Sequence, residues 1–552
     1  MSNELFLAFL SSKNIAEEIK EKYRNLSIEE INELFNPDGK LKFGTAGIRR
    51  PWKEGTINLN KTTYTQLIIG YIRYLESTNP TNKLVVFGRD NRYQMKEMME
   101  YGAEIFSSFG YRVLYPKDYS MLSTPIVSFL IKHHNACGGI MFTASHNPKT
   151  DAGYKVYLKN GAQPLPVVTN QIESNFPTYL EALEMTFKKD ASLIRSFSSS
   201  EINEYFTQIK TKLIKTNPNK KKMYPVTFSG HHGTTTIDMI PFLTSLGYNI
   251  VDVKEQNFED KFFVNDDFGS NPEDPKSFNL SVKYADKEKA NVMISSDPDG
   301  DRMAIAIRHH GEWVYLNGNQ TGIISAYYLL HTRTYQKPKY IISTYISTTY
   351  CDLFKEKYNV DVLYTDVGFK NHGNIAAELS GKKDLVIAFE EAIGALPSDI
   401  NNDKDSYQYA SILLEMIEYY HASNKTLVDV LYDDIFNHFG YWISKTTSFK
   451  IAGDDWRVKA NALMDKMKNF EHKKINDFEI KSIEYHDIGK YLTFNLENKS
   501  SIKFRLSGTE PKLKIYIELY DFKVKDKEHF TKEYEKKMDD LLIYLKSYMG
   551  LN

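Results

Sequence analysis

Cysteine is almost missing: two residues in 552, Cys137 and Cys351. That excludes a disulfide framework and a cysteine-rich zinc site, and it fits a reducing, cytoplasmic setting. Long apolar runs are missing too. No stretch approaches the ~20 residues of a membrane span. The segment Leu5–Leu10 follows Glu4 without a basic leader, so it reads as an amphipathic helix rather than a signal peptide. Net charge is nearly absent, with 70 Lys+Arg against 71 Asp+Glu. Nothing therefore drives the whole chain toward nucleic acid or an anionic membrane, and neither is expected as a partner. The run Lys220-Lys221-Lys222 reads as solvated loop. Low-complexity tracts and long Gly/Ser linkers are missing, as are GxxxxGK[ST] and Gly-x-Ser-x-Gly, which argues against a P-loop and an α/β-hydrolase elbow.

What is present is an ordinary globular composition, 41 % hydrophobic and 26 % charged, over a length that suits three to four domains. Strand and helix patterns alternate in three similar rounds. Strand candidates Leu84–Gly88, Arg112–Tyr115 and Gly139–Phe142 alternate with helices over Tyr93–Phe109 and from Ser123 or Thr124 toward Gly138. Tyr224–Ser229, a helix over Thr234–Ser245, Asn249–Val253 and Asn291–Ile294 repeat that order. Tyr340–Ser343, a helix from about Thr349 to Tyr358, Asp361–Tyr364 and Leu385–Ala388 do so again. Each round ends in a polar loop beyond a buried strand, the place where open α/β sheets bind ligands. The last ~115 residues read as a smaller α+β domain, with helices over Asp454–Phe470 and Lys527–Tyr548 around four strand candidates. The expected boundaries are 1–195, 196–315, 316–435 and 436–552.

The loops carry the chemistry. Asp297, Asp299 and Asp301 alternate around Gly300. Three carboxylates so close repel one another unless a cation intervenes, and oxygen-only ligands on a tight loop suit Mg²⁺. A calcium EF-hand is excluded, because the twelfth position from Asp297 is Arg308 instead of glutamate. Ser145 sits after a strand, between Ala144 and His146. Arg505-Leu506-Ser507-Gly508-Thr509 supplies a guanidinium fork, two hydroxyls and loose amides for a phosphate, with Lys512 and Lys514 raising the local potential. Glu390 and Glu391 end an apolar strand and can accept hydrogen bonds from sugar hydroxyls.

Five stretches in order, Phe43-Gly44-Thr45-Ala46-Gly47-Ile48-Arg49, Thr143–Pro148, Asp297–Arg302, Phe389–Gly394 and Arg505–Pro511, resemble the α-D-phosphohexomutase superfamily from about residue 41 to 519. The variants resemble the branch of phosphoglucomutase/phosphomannomutases that includes phosphopentomutase-like and glucose-1,6-bisphosphate-forming enzymes. The resemblance implies three related α/β domains with mixed sheets around a central cleft, and a C-terminal α+β domain like the TATA-box-binding protein. It implies an intramolecular phosphotransferase acting on phosphorylated glucose or mannose through a phosphoserine at Ser145 and a sugar 1,6-bisphosphate. Phosphopentomutase, bisphosphate synthase, serine-dependent phosphatase and non-catalytic sensor are the alternatives. By position, the metal falls to Ser145, Asp297, Asp299 and Asp301. Arg49, Arg302 and His146 attend the phosphoserine. Lys155 is a general acid/base candidate, with a pKa expected to be depressed beside Arg49 and the metal, and Lys370 lines the substrate site. Glu390 and Glu391 hold the sugar, and Arg505, Ser507, Gly508, Thr509 and Lys514 the distal phosphate. One departure stands out: Arg50-Pro51-Trp52 follows Arg49 where glycine is usual, and it is expected to reshape the cleft entrance.

Overall fold

A computed structural model of the chain describes all residues except 217–223, 452, 454, 488, 507–511, 525, 526 and 552. It divides into two compact units. The first is 1–318 with 368–415, and the second is 319–367 with 416–552.

The first unit is built on two mixed sheets. One runs β1 (Ile48–Pro51), β2 (Leu84–Arg89), β3 (Arg112–Tyr115), β4 (Gly138–Phe142), β5 (Asp151–Leu158) and β6 (Ile194–Ser196) in the spatial order β1-β5-β4-β2-β3-β6. The other takes β7 (Pro225–Ser229), β8 (Asn249–Asp252), β9 (Val292–Ser296), β10 (Met303–His309) and β11 (Glu312–Leu316) in the order β11-β10-β9-β7-β8. β2, β4, β7 and β9 are parallel inner strands, buried throughout or nearly so and rich in Val, Ile, Met and Phe, as strands covered on both faces must be. A helix over Lys61–Ser77, opened by an Asn60–Thr63 capping box, buries Leu67, Ile68, Tyr71 and Ile72 against the first sheet.

The three chemical loops share one topology. β4 returns through residues 143–150 into antiparallel β5, and β9 returns through 297–302 into antiparallel β10. The strand Asp384–Phe389 returns through 390–394 into antiparallel Ala395–Leu396. Each loop is thus pinned at both ends by neighbouring strands of one sheet. The close return needs glycine at Gly153 on β5, where a Cβ would lie 1.9 Å from the carbonyl oxygen of Thr143.

One departure in the sequence finds its place here, and one expectation changes. Arg50 and Pro51 continue β1, with Pro51 opposite Asp151, and Trp52 packs beside Tyr64. The strand tolerates the proline, because the bond to β5 falls on the next residue, where the Trp52 amide donates to the Thr150 carbonyl, and residue 51 owes that neighbour no N–H. The helix expected over 349–358 is a 3₁₀ turn, Tyr350–Phe354, followed by a single α turn, Lys355–Tyr358.

The N-terminal helices Ser2–Ser11, Glu17–Tyr23 and Ile28–Leu34 form a cluster of their own. Phe6, Phe9, Ile31, Leu34 and Phe35 pack with Tyr179 and Leu183. At this seam the Glu54 amide donates to the Tyr23 hydroxyl at 3.2 Å, while Glu54 Oε2 is buried without a hydrogen-bond partner among the described residues. Burial pushes the Glu54 carboxyl up to about 7. A carboxyl whose folded pKa is raised costs stability as pH climbs from its unfolded value through 7. Glu54→Gln is therefore expected to melt higher than the wild type at pH 8, by up to about 3 kcal/mol. The gap should shrink toward pH 5 in parallel thermal melts; a gap independent of pH would refute the assignment.

In the second unit Lys339–Thr344 lies parallel to Val360–Thr365. A six-stranded antiparallel sheet runs, in order, Tyr441–Lys450, Lys512–Asp521, Ser501–Leu506, Tyr491–Leu496, Phe478–His486 and Lys474–Ile475. Helices Trp456–Lys468 and Lys527–Met549 accompany it, as the α+β reading expects. Among the described residues, no helix is long and apolar enough to cross a membrane.

Candidate active site

Asp297-Pro298-Asp299-Gly300 closes a tight turn, the Gly300 amide donating to the Asp297 carbonyl at 3.0 Å. Asp at the first position, Pro at the second and Gly at the fourth are the residues a type I turn favours. The Asp297 side chain ties the loop from within, Oδ1 accepting from the amides of Asp301 and Arg302 at 3.2 and 3.0 Å. All three aspartates are buried, and each offers an oxygen within 4.8 Å of the others.

Ser145 is brought to this loop from β4. Its φ of +52° lies in the left-handed region, uncommon for a residue with a Cβ and a mark of an over-determined backbone. What holds it there is Arg92. This buried guanidinium donates to the carbonyls of Ser145 and Asn147 at 2.5 Å, Pro148 at 2.6 Å and Asp151 at 3.0 Å. Asp90 in turn pairs with Arg92 at 3.1 Å and accepts from Thr143 Oγ1 at 2.6 Å, and that hydroxyl accepts from the Ser145 amide at 2.8 Å. With the backbone fixed, Ser145 Oγ donates to Asp297 Oδ2 at 2.9 Å and lies 3.4 Å from His146 Nδ1.

The cations are arranged carboxylate by carboxylate. Arg302 Nε donates to Asp297 at 2.9 Å, and its other nitrogens reach Glu273 at 2.8 Å and His146 Nδ1. Lys155 Nζ bridges Asp299 Oδ2 at 2.5 Å and Asp301 Oδ2 at 3.0 Å. Lys404 Nζ lies 3.1 Å from Asp301 Oδ2 and 3.5 Å from Asp403 Oδ1. Burial works to raise the carboxyls, and at Asp297 it prevails over Arg302, giving a value of about 7. Burial is opposed at Asp299 by Lys155, and at Asp301 by Lys155 and Lys404, and both groups are held below the usual range. At His146, burial with Arg302 and Arg49 keeps the imidazole well below its ordinary pKa. A neutral ring with Nδ1 accepting is the form that Arg302 requires.

At Lys155 burial depresses the pKa and Arg49 adds to that, but with no metal on the aspartates Asp299 and Asp301 outweigh both, and its pKa stands above the ordinary lysine value. Arg49 donates to Asn147 at 3.0 Å, beside the serine loop. Lys370 Nζ donates to the Gly44 carbonyl at 3.3 Å, and burial lowers its pKa. Glu390 lies near Lys404 and is pushed up to about 7, by burial against the pull of that lysine. Glu391 is half-buried beside it in sequence. Arg505 and Lys514 belong to the second unit and face each other across neighbouring strands, two cations side by side. Ser507, Gly508 and Thr509 lie outside the described residues.

Sequence reasoning missed Arg92, Asp90, Lys404 and Asp403. Asp403 is the anchor for Lys404, accepting from Tyr157 Oη and Gln163 Nε2, both at 2.8 Å. The one available signal was the polar run Asn401-Asn402-Asp403-Lys404-Asp405 ahead of the apolar pattern that starts at Ser406.

The donor set fits a hard divalent cation. It is all oxygen, and Asp299 Oδ1 and Asp301 Oδ1 are buried without hydrogen-bond partners among the described residues, so two ligand positions are open.

Comparison with known proteins gives the family. Residues 40–182, 203–311 and 317–436 match, in turn, the phosphoglucomutase/phosphomannomutase α/β/α domains I, II and III. A phosphomannomutase of Mycoplasmoides pirum is 36 % identical over 94 % of this chain and 96 % of its own. One of Mycoplasma genitalium is 38 % identical over 93 % of each. The crystal structure of a putative phosphomannomutase from Thermus thermophilus shares the fold, with a TM-score of 0.68 at 20 % identity over 87 % of this chain and 95 % of that one. Identity at the level of the two mycoplasma enzymes, across nearly the whole of both chains, makes the protein a member of the α-D-phosphohexomutase superfamily, within its phosphoglucomutase/phosphomannomutase group.

Proposed function

We propose that this phosphohexomutase interconverts the 1- and 6-phosphates of mannose and glucose through a phosphoserine at Ser145 and a sugar 1,6-bisphosphate. The observation that carries the reading is the approach of Ser145 Oγ to within 2.9 Å of Asp297, on a loop of three buried carboxylates. The likeness to phosphomannomutases supports a mannose phosphate as one of the substrates.

In the transfer, a sugar hydroxyl attacks the phosphorus of phospho-Ser145. The new O–P bond forms as the Oγ–P bond breaks, and the hydroxyl proton leaves to a base. The reverse step, at the other end of the bisphosphate, rephosphorylates Ser145. Asp297, Asp299 and Asp301 would hold Mg²⁺, which supplies charge neutralisation for the transferring group. Arg302 and Arg49 lie beside Ser145 and lend positive charge to the phosphoryl oxygens. Arg92 keeps Oγ in line by fixing the backbone beneath it. Glu390, titrating near neutrality, can accept from or donate to a sugar hydroxyl, and Arg505 with Lys514 suits the distal phosphate.

The test is phosphorus NMR with Mg²⁺ and a trace of glucose 1,6-bisphosphate, supplying mannose, glucose or ribose 1-phosphate in separate tubes. The hexose 1-phosphate signal should move to the 6-phosphate without release of inorganic phosphate, and EDTA should stop it. Growth of inorganic phosphate would make the protein a phosphatase, and turnover of ribose 1-phosphate alone a phosphopentomutase. Either result overturns the proposal.

A further inference from the structure

The acidic loop holds three carboxyl groups, and three buried cations pair with it directly, Arg302, Lys155 and Lys404, while Arg49 acts on Asp299 at longer range. They are not equivalent. Arg302 has a second carboxylate partner in Glu273, and Lys404 has one in Asp403. Lys155 has none outside the loop among the described residues: its ammonium pairs with Asp299 and Asp301, from a strand fixed between β1 and β4. It therefore joins the two carboxylates whose Oδ1 oxygens are open, and it does so as a cation would, sharing one positive charge between two ligands.

We propose that Lys155 is the internal cation of the metal loop, a positioning residue that holds Asp299 and Asp301 together and competes with the divalent ion for their charge. This rests on the reading of the three aspartates as the metal site, and extends it. Coulomb repulsion between an ammonium and a divalent ion that share two carboxylates is large in a dry site, so each weakens the other's hold. Removing the ammonium leaves buried carboxylates uncompensated, which costs stability until a metal replaces it. Lys155 thus fixes how strongly the loop binds its ion while keeping the loop folded when divalent ions are scarce.

The experiment compares full-length wild type, Lys155→Met and Lys155→Arg by thermal melting in EDTA and in MgCl₂, and by calorimetric titration with Mg²⁺. In EDTA, Lys155→Met should melt about 5 °C or more below wild type, and Mg²⁺ should raise its melting point further than it raises that of wild type. It should bind Mg²⁺ at least about tenfold more tightly. Lys155→Arg should follow wild type in all three. Should Lys155→Met fail to fold, Lys155→Met/Asp299→Asn removes both charges and is expected to recover the melting point in EDTA. Equal melting of Lys155→Met and wild type in EDTA, equal or weaker Mg²⁺ binding by Lys155→Met, equal loss in the arginine variant, or no recovery in the double variant would each overturn the proposal. Failure of wild type to bind Mg²⁺ would instead refute the metal reading, and the EDTA melts would still report on the lysine.

Discussion

Ser145→Ala is expected to abolish mutase turnover, by a factor of about 10⁴ or more, with the melting temperature close to that of wild type. The magnitude follows from the role: a group that carries the transferring phosphoryl has no substitute in the site, and nucleophile deletions cost factors of that order or larger. The small effect on stability follows from the local structure. Arg92 and Thr143 hold the loop through the carbonyl and amide of residue 145, and alanine keeps both. Only the bond from Oγ to Asp297 disappears, and Asp297 Oδ2 still accepts from Arg302. The check is the hexose-phosphate assay together with intact mass after incubation with glucose 1,6-bisphosphate. Wild type should gain the mass of one phosphoryl group and the variant none. Appreciable turnover by the variant would rule out the phosphoserine route.

The second large effect is expected at a residue that touches no substrate. Arg92→Met removes four donors from carbonyls of the serine loop and strands the buried carboxylate of Asp90. Breaking a buried pair by deleting one partner costs about 3–5 kcal/mol, so the variant should melt well below wild type. The activity of the folded fraction should also fall, by about 100-fold, because an error of ~1 Å in the attacking oxygen is enough for that. Arg92→Lys is not expected to rescue either property. A single ammonium cannot span carbonyls that a planar fork reaches at once. Thermal melts with kcat measured below the transition check both effects. A folded Arg92→Met enzyme with wild-type kcat would show that the left-handed conformation at Ser145 is maintained without it.

The contrast between these two residues explains how much of the site was legible in the sequence. Ser145, the three aspartates and Glu390 lie in contiguous motifs that carry the family resemblance, and each sits at the strand end where the alternating pattern placed it. Arg92 and Lys404 are single charged residues in unremarkable surroundings. Arg92 reaches the serine loop 53 residues away, and Tyr157 reaches Asp403 across 246. No local spacing encodes such contacts; only the sheet order β5-β4-β2 and the packing around it create them. Lys155 shows the same limit in electrostatics. A motif identified the lysine, but the sign of its pKa shift depends on how the pull of the aspartates compares with burial, Arg49 and a metal, and the fold places its ammonium directly on the aspartates. The 349–358 segment failed for a different reason: helix-like spacing over ten residues does not distinguish an α-helix from a 3₁₀ turn leading into one.

The interrupted course of the first unit bears on how the protein is made. The unit takes residues 1–318, then resumes at 368, so Asp301 leaves the ribosome about 100 residues ahead of Lys404. At ~5–20 residues per second that is an interval of roughly 5–20 s, during which the nascent acidic loop has only the cations already synthesised. Lys155 precedes Asp299 by 144 residues, and its strand pairs with β4, also complete by then. Of the lysines that pair with this loop, the early one is therefore at hand as the aspartates emerge, together with Arg302 beside them, while the late one has still to be made.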